Sequence, residues 1–291
     1  MARVERRLPQ NVEGDLFVDD SCIDCDACRQ IAPLTFRDHG GQSSVYRQPE
    51  TTDARHRALM ALVACPTASI GSRSRDGVRT AVRAFPTKLY DNVYFCGFTA
   101  ESSFGAWSYL IVRPASAGGN ILVDSPRFSR PLATQIEELG GVQLMYLSHK
   151  DDIADHATYA AHFNCPRVMH EADGAAALGI EQITTGRDEL RIDGDLVSIP
   201  TPGHTRGHQV LLYQDRALFT GDHLAWSPYR QTLTAFRDVC WFSWTEQVES
   251  MEKLLEYRFE WVLPGHGRLH HAPRKEMHEH LERCVDWMHR R

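Results

Sequence analysis

The chain has no window approaching 18 uninterrupted apolar residues, and its first ten positions, Met1 to Gln10, carry no apolar core of the signal-peptide kind. Both absences set the expectation of a soluble, cytoplasmic protein with no membrane partner. A basic excess is missing too. The 32 Lys and Arg stand against 38 Asp and Glu, a net charge of -6, so the overall charge offers nothing to neutralise a phosphate backbone. Nucleic acid is therefore not expected as a partner. What the chain does have is length and apolar content: 291 residues, 42% hydrophobic, enough for two domains and a sizeable core.

Eight cysteines in such a chain point to metal ligation ahead of disulfides. Four of them are patterned: Cys22, Cys25 and Cys28 at three-residue intervals, then Cys65-Pro66 after a gap of 36 residues. Three thiolates so spaced wrap one face of an inorganic cluster, and a distant Cys-Pro supplies the fourth. This is the ligation pattern of bacterial-type ferredoxins. A second such run is absent, so all four cysteines would hold a single 4Fe-4S cluster. Zinc ribbons more often show two Cys-x-x-Cys pairs, whereas here a triple faces a single. Residues 15–71 resemble a single-cluster ferredoxin also in Ala32-Pro33, in Phe36, and in Ala68-Ser69-Ile70 after the Cys-Pro. Between the cysteines, Ala54, Ala58, Leu59, Leu62 and Val63 form a stripe that predicts a helix packed over the cluster. The flanking Asp15, Asp19, Asp20, Asp24 and Asp26 either dock a basic redox partner or form a solvated loop. Cys96, Cys165, Cys240 and Cys284 lack ligand spacing and read as small packing residues.

Residues 1–14 read as an arm, polar and without periodicity, and the Gly/Ser/Arg-rich residues 72–84 as a linker. From Phe85 to the end at Arg291 short strands and helices alternate. Ser129 predicts a helix stopped by Gly140-Gly141, and Ser243-Trp244-Thr245-Glu246 reads as a capping box. Residues 272–291 read as a charged amphipathic helix, with His270, His271, His278, His280 and His289 expected on the surface. The repeated order predicts a layered α/β domain over residues 85–291.

The most chemically dense stretch is Ser148 to His156, which places two histidines and three aspartates, Asp151, Asp152 and Asp155, directly after the apolar run Val142 to Leu147. Such a set of N and O donors suits a hard or borderline divalent metal. Three later fragments each deliver one ligand-type side chain to a strand end: Thr201-Pro202-Gly203-His204, Phe219-Thr220-Gly221-Asp222 and Leu263-Pro264-Gly265-His266. His208 reads either as a group orienting the ligands or as a packed strand histidine. The aromatic segment Trp226 to Trp244 reads as a substrate-facing loop or as packing.

In order and context, His149, Asp155-His156, His204, Asp222 and His266 resemble the ligand series of the metallo-β-lactamase-fold hydrolases, including the glyoxalase II-like branch. The resemblance covers roughly residues 85–270. It implies a four-layer αββα fold preceded by a small α+β ferredoxin-like domain. It further implies one metal held by His149, His204 and Asp222 and a second held by Asp155, His156 and His266, with Asp222 bridging. One departure is visible: the usual His-x-His-x-Asp-His motif reads Asp151 at its second histidine, and two extra residues precede Asp155-His156. Whether Asp151 or Asp152 takes the histidine's place stays open at this point, as does the choice among zinc, iron and manganese and between one ion and two.

The activity implied is hydrolysis of an ester, thioester, lactam or phosphoester in a small-molecule substrate, with Asp155 or Asp222 orienting the water. The competing reading is a redox enzyme, a dioxygenase or oxidoreductase, with a non-haem iron at His149, His204 and Asp222 fed by the cluster.

Overall fold

A computed structural model describes residues 2–291. They form two compact units, one of residues up to 110 together with 126–141, the other of residues 111–125 and 142–291. The first unit thus extends past the stretch expected to be a linker.

Its elements run β1 (Leu16–Val18), α1 (Ala27–Ile31), β2 (Phe36–Asp38), β3 (Ser43–Val45), α2 (Thr52–Ala64), β4 (Ile70–Ser72), α3 (Val78–Val82), β5 (Thr87–Tyr90) and β6 (Val93–Phe95). β1 pairs antiparallel with β4, and β2 with β3. The expected helix after Thr51 is α2. The Thr51 hydroxyl accepts from the Ala54 N–H at 3.1 Å, and Ala58, Leu59, Ala61 and Val63 are buried.

The start of the chain is not a loose arm. Asn11, itself buried, accepts from the Val18 and Val45 N–H groups and donates to the Leu8 and Val18 carbonyls, fastening residues 8–12 to β1 and β3. A single polar side chain supplies this anchoring, which is why hydrophobic periodicity gave no sign of it. The stretch expected as linker contains α3, whose Ala81 is buried, and packs along α2. The same unit includes α4 (Arg130–Glu138), which follows Ser129 as anticipated and buries Leu132, Ala133 and Ile136. β7 (Tyr109–Ile111) closes the first part of the chain.

The second unit contains two sheets. In the first, β8 (Ile121–Val123), β9 (Leu144–Tyr146), β10 (Arg167–His170) and β11 (Gln182–Thr184) lie side by side and parallel, with α5 (His156–Phe163) crossing from β9 to β10. The second runs in the order β12 (Leu190–Asp193), β13 (Leu196–Pro200), β14 (Gln209–Tyr213), β15 (Ala217–Gly221), then β18 (Trp261–Pro264) and β19 (His270–His271). It is antiparallel except where β15 and β18 run parallel. A small hairpin, β16 (Ala225–Ser227) with β17 (Thr232–Thr234), lies between β15 and α6 (Trp244–Leu254) in the chain, and α7 (Arg274–Met288) ends it.

Alternation along β13 and β14 sorts the layers. Val197, Ile199, Val210 and Leu212 pack with Val248, Met251 and Leu254 of α6 and with Met277, Leu281 and Val285 of α7. Ser198 faces the opposite way, where the Tyr146 hydroxyl bonds to its Oγ at 2.8 Å and donates to the Val210 carbonyl at 3.0 Å. Those bonds join the two sheets through their inner faces. The capping box at α6 forms as expected, with the Ser243 hydroxyl accepting from the Glu246 N–H at 3.2 Å. His280 departs from expectation: it is buried, with its ring against Trp226 and His270, because α7 turns that face onto the β16–β17 hairpin. Among the described residues no helix is long and apolar enough to cross a membrane.

One buried cation ties the segment before β8 to the β12–β13 turn. The Arg113 side chain is 1% exposed, pairs with Asp193 at 2.9 Å and with Asp195, and donates to the Gly119 carbonyl. Replacing it by Met leaves two half-buried carboxylates without a counter-charge. We expect Arg113→Met to cost about 3 kcal/mol, read as a lowered denaturant midpoint with unchanged slope.

Candidate metal centre

Four loops leave the C-terminal ends of β9, β13, β15 and β18, and each brings ligand-type side chains to one place. Because β15 and β18 are parallel neighbours, Asp222 and His266 emerge side by side, and the Gly265 N–H donates to the Gly221 carbonyl at 2.8 Å. A side chain at Gly265 would collide with the Asp152 carboxylate and crowd that of Asp222. The glycine of the Pro-Gly-His fragment is therefore required for two carboxylates to approach there.

Donor atoms gather in two groups that share Asp222: His149, His204 and Asp222, and Asp152, Asp222 and His266. The Asp222 Oδ2 lies 3.8 Å from His149 Nε2 and 3.6 Å from His204 Nε2, while its Oδ1 accepts from His266 Nδ1 at 2.7 Å. Asp151 Oδ2 stands 3.4 Å from His204 Nε2. His149 Nε2, His204 Nε2, Asp151 Oδ2 and both oxygens of Asp152 are buried and have no hydrogen-bond partner. A folded protein rarely leaves such atoms unsatisfied. Their convergence on common points is what a pair of divalent cations would satisfy, so these residues fit the metal ions that the resemblance implies.

Electrostatics keep the groups in ligating form. Burial drives the His149 imidazole down to about 4, so it is neutral at pH 7 with a free lone pair. Burial also opposes ionisation of Asp222, but His266 and then His149 outweigh it and hold the carboxyl below the usual range. For Asp152, burial and the neighbouring Asp222 charge push the other way, well above the usual range. A carboxyl so raised is one that a cation would ionise.

The ligands are aimed by neighbours. The Ser148 hydroxyl donates to Asp124 Oδ2 at 3.0 Å and lies 2.9 Å from His149 Nδ1. Since its proton goes to Asp124, it accepts from Nδ1–H, which leaves Nε2 as the free nitrogen. His208 accepts the Asp222 N–H at Nε2 and faces Thr201 Oγ1 with Nδ1 at 2.9 Å, so it orients Asp222. Asp173 accepts from the Lys150 N–H, the Thr205 hydroxyl and the Gly207 N–H, tying the β9 loop to the β13 loop.

The structure gathers His149, Asp151, His204, Asp222 and His266 from the residues expected, and it does not gather Asp155 and His156. His156 opens α5 with its Nδ1 3.0 Å from the Arg167 guanidinium, and Asp155 is the N-cap residue of that helix and belongs to neither group. The two extra residues before Asp155 are the reason. They carry the chain through a turn and into α5, and Asp152, three positions after His149, stands beside Asp222 and His266 instead. Sequence reasoning left Asp152 unplaced and missed Asp124 and Asp173. Asp124 had one signal, its position directly after the apolar strand β8; Asp173 had none.

In the first unit, Cys22, Cys25, Cys28 and Cys65 line one small cavity floored by Val18 and Ile70. Asp24 and Asp26 adopt left-handed backbone, φ 62° and 64°, which coils the loop so that all three sulfurs of the triple reach that cavity. The Ser43 and Ser69 N–H groups donate to the Cys22 and Cys65 sulfurs at 3.4 and 3.3 Å. Burial pushes the Cys25 thiol up to about 12 and that of Cys28 further in the same direction. Four converging sulfurs, with N–H donors aimed at those of Cys22 and Cys65, fit an iron-sulfur cluster, whose irons would take them as thiolates. Gly105 packs against Cys25 with no room for a Cβ.

Known proteins match the two parts of the chain separately. Residues 18–72 match the family described as the 4Fe-4S single cluster domain of Ferredoxin I. The DIM-1 metallo-β-lactamase, solved after exposure to ceftazidime, superposes with a TM-score of 0.51 at 15% identity, covering 69% of this chain and 95% of that one. This protein thus carries a single-cluster ferredoxin domain followed by the αββα metallo-β-lactamase fold.

Among particular relatives, ETHE1 from Myxococcus xanthus gives a TM-score of 0.46 at 20% identity over 65% of this chain and 89% of that chain. The Beta-lactamase-like protein 2 homolog of Drosophila melanogaster is 27% identical over 109 residues, 38% of this chain. That match spans about a third, 32%, of the curated relative's length.

Two outcomes follow. Asp152→Asn is expected to lower bound divalent metal from two ions per chain to one, whereas Asp155→Asn leaves it unchanged, as read by elemental analysis after anaerobic loading. Cys28→Ser is expected to remove the visible sulfur-to-iron absorbance together with acid-labile sulfide.

Proposed function

We propose that this protein is a metal-dependent hydrolase acting on an ester, thioester, lactam or phosphoester of a small-molecule substrate, with its 4Fe-4S domain as an electron-transfer or sensing accessory. The observation that carries this is the sharing of one buried carboxylate, Asp222, between two groups of ligand-type side chains, in which His149 Nε2, His204 Nε2 and both Asp152 oxygens have no hydrogen-bond partner. Divalent ions bound there would lower the pKa of water from 15.7 to near 7 and polarise a carbonyl or phosphoryl oxygen.

The remaining work belongs to the chain. His149 presents a neutral imidazole, Ser148 with Asp124 fixes its ring, and His208 fixes Asp222. Beyond His208 lies a cavity of about 500 Å³ lined by Arg206, Phe242 and His170 among others. It is large enough for part of a small organic substrate. Arg206 lies over the Phe242 ring at 5.9 Å, and the Trp241 and Phe242 N–H groups donate to the His204 carbonyl. The aromatic loop is thereby fixed to a ligand residue, and in this reading Arg206 takes an anionic part of the substrate.

The second reading, a non-haem iron oxidoreductase fed by the cluster and by a redox partner, draws on the ferredoxin domain itself. A panel of chromogenic ester, thioester, lactam and phosphodiester substrates separates the two. We expect turnover of at least one class, falling by roughly 100-fold or more in Asp222→Ala with the cluster absorbance retained. No hydrolysis of any class, with substrate-dependent reoxidation of a reduced cluster by dioxygen, would transfer the assignment to the redox reading.

A further inference from the structure

The six side chains at the centre divide evenly into three imidazoles, His149, His204 and His266, and three carboxylates, Asp151, Asp152 and Asp222. The series that the chain resembles has five imidazoles and two carboxylates, since its first motif supplies three histidines and one aspartate. Here that motif supplies one histidine and two aspartates. Three observations give the two extra carboxylates a role. Both Asp152 oxygens are buried and unpartnered, on a residue only 1% exposed. Asp151 Oδ2 is likewise buried and unpartnered, and it lies within 3.4 Å of the His204 nitrogen that points into the same space. The loop that carries them is fixed, by Lys150 N–H to Asp173 at 3.0 Å and by Ser125 N–H to the Asp152 carbonyl at 3.3 Å. Asp152 thus has no hydrogen-bond partner in the protein to receive its carboxylate, and Asp151 Oδ2 faces only the His204 imidazole.

We propose that Asp151 is an anionic metal ligand standing where an imidazole is usual, and that with Asp152 it makes this centre oxygen-rich enough to favour manganese(II) or iron(II) relative to zinc(II). Carboxylate oxygens suit the harder ions, whereas imidazole is shared by zinc and iron, and intrinsic affinity rises from manganese to zinc. Replacing nitrogen donors by oxygen donors narrows zinc's advantage by weakening the softer contact most. The added negative charge acts in the same direction, since a hard cation gains most from charge and least from covalency. This inference rests on the metal-centre reading above, and it concerns which ion is held, not which bond is cut.

The test is competition for the metal-free full-length protein, its cluster intact, by equimolar zinc(II) and manganese(II) under anaerobic conditions, with bound metals counted by elemental analysis. Asp151→His is expected to raise the bound zinc-to-manganese ratio at least tenfold. Asp151→Asn is expected to lower manganese occupancy at unchanged cluster absorbance and circular dichroism, which covers the case in which the histidine variant does not fold. Manganese electron paramagnetic resonance supplies a readout independent of turnover, since the wild-type signal of bound ion should change in both variants. Unchanged ratio, stoichiometry and spectrum in a folded variant would overturn the proposal. If no substrate class is hydrolysed but Asp151 still sets the ratio, the hydrolase reading fails and this one stands.

Discussion

The Asp222 carboxylate is the constraint on which the second unit depends. It is buried at the junction of four loops, and taking a carboxylate out of water costs several kcal/mol even after relaxation unless opposite charge or donors compensate. The protein supplies part of the compensation: His266 Nδ1 at 2.7 Å, and the Asp222 N–H anchored on His208. Placing Asp152 beside it adds a second carboxyl that burial and like charge drive towards its neutral form. Such a pair is unfavourable for an isolated chain and favourable around cations, so the arrangement has a chemical meaning before any substrate is named.

Holding that arrangement falls to groups one step further out. Asp173 receives three donors from two loops, Ser148 passes its proton to Asp124 and so fixes the His149 tautomer, and Gly265 leaves the only shape that admits both carboxylates. Gly203 does the same behind His204, where a Cβ would strike the backbone of Gln247 at the start of α6. The two Pro-Gly-His fragments therefore serve one purpose on two strands: the glycine lets the turn pack tightly while the histidine is turned towards the centre.

Much of this was legible in the sequence, and the illegible part has a definable cause. Strand-end ligands such as His149, His204, Asp222 and His266 announce themselves because each follows an apolar run and sits at a turn. The cysteine spacing fixes its own chemistry, since few structures other than a cluster use a triple and a distant Cys-Pro. Asp155-His156 misled because identity and order were right while position was not. Two residues of loop are enough to carry a pair of side chains from the end of a strand into the first turn of a helix, where His156 meets Arg167. Asp173 could not be found at all, because its three partners come from residues up to 34 positions away and have no pattern along the chain. Tertiary hydrogen bonds of that kind are invisible to periodicity.

The aspartates around the cysteine triple show the same limit from the other side. Read along the chain, Asp15, Asp19, Asp20, Asp24 and Asp26 form an acidic run suited to a basic partner. In space they are mostly used at home. Arg29, only 11% exposed, pairs with Asp24 at 2.7 Å, with Asp26 and with Asp38; Asp15 pairs with Arg55 and Asp20 with Arg6. Asp19 accepts from the Ser21 and Arg3 N–H groups. A loop that must coil tightly enough for three sulfurs to converge places its intervening side chains on the outside, and Arg29 draws those carboxylates together. The charge pattern beside the cysteines is thus first a device for shaping the cluster loop, and the negative field it presents to solvent is what remains after that use.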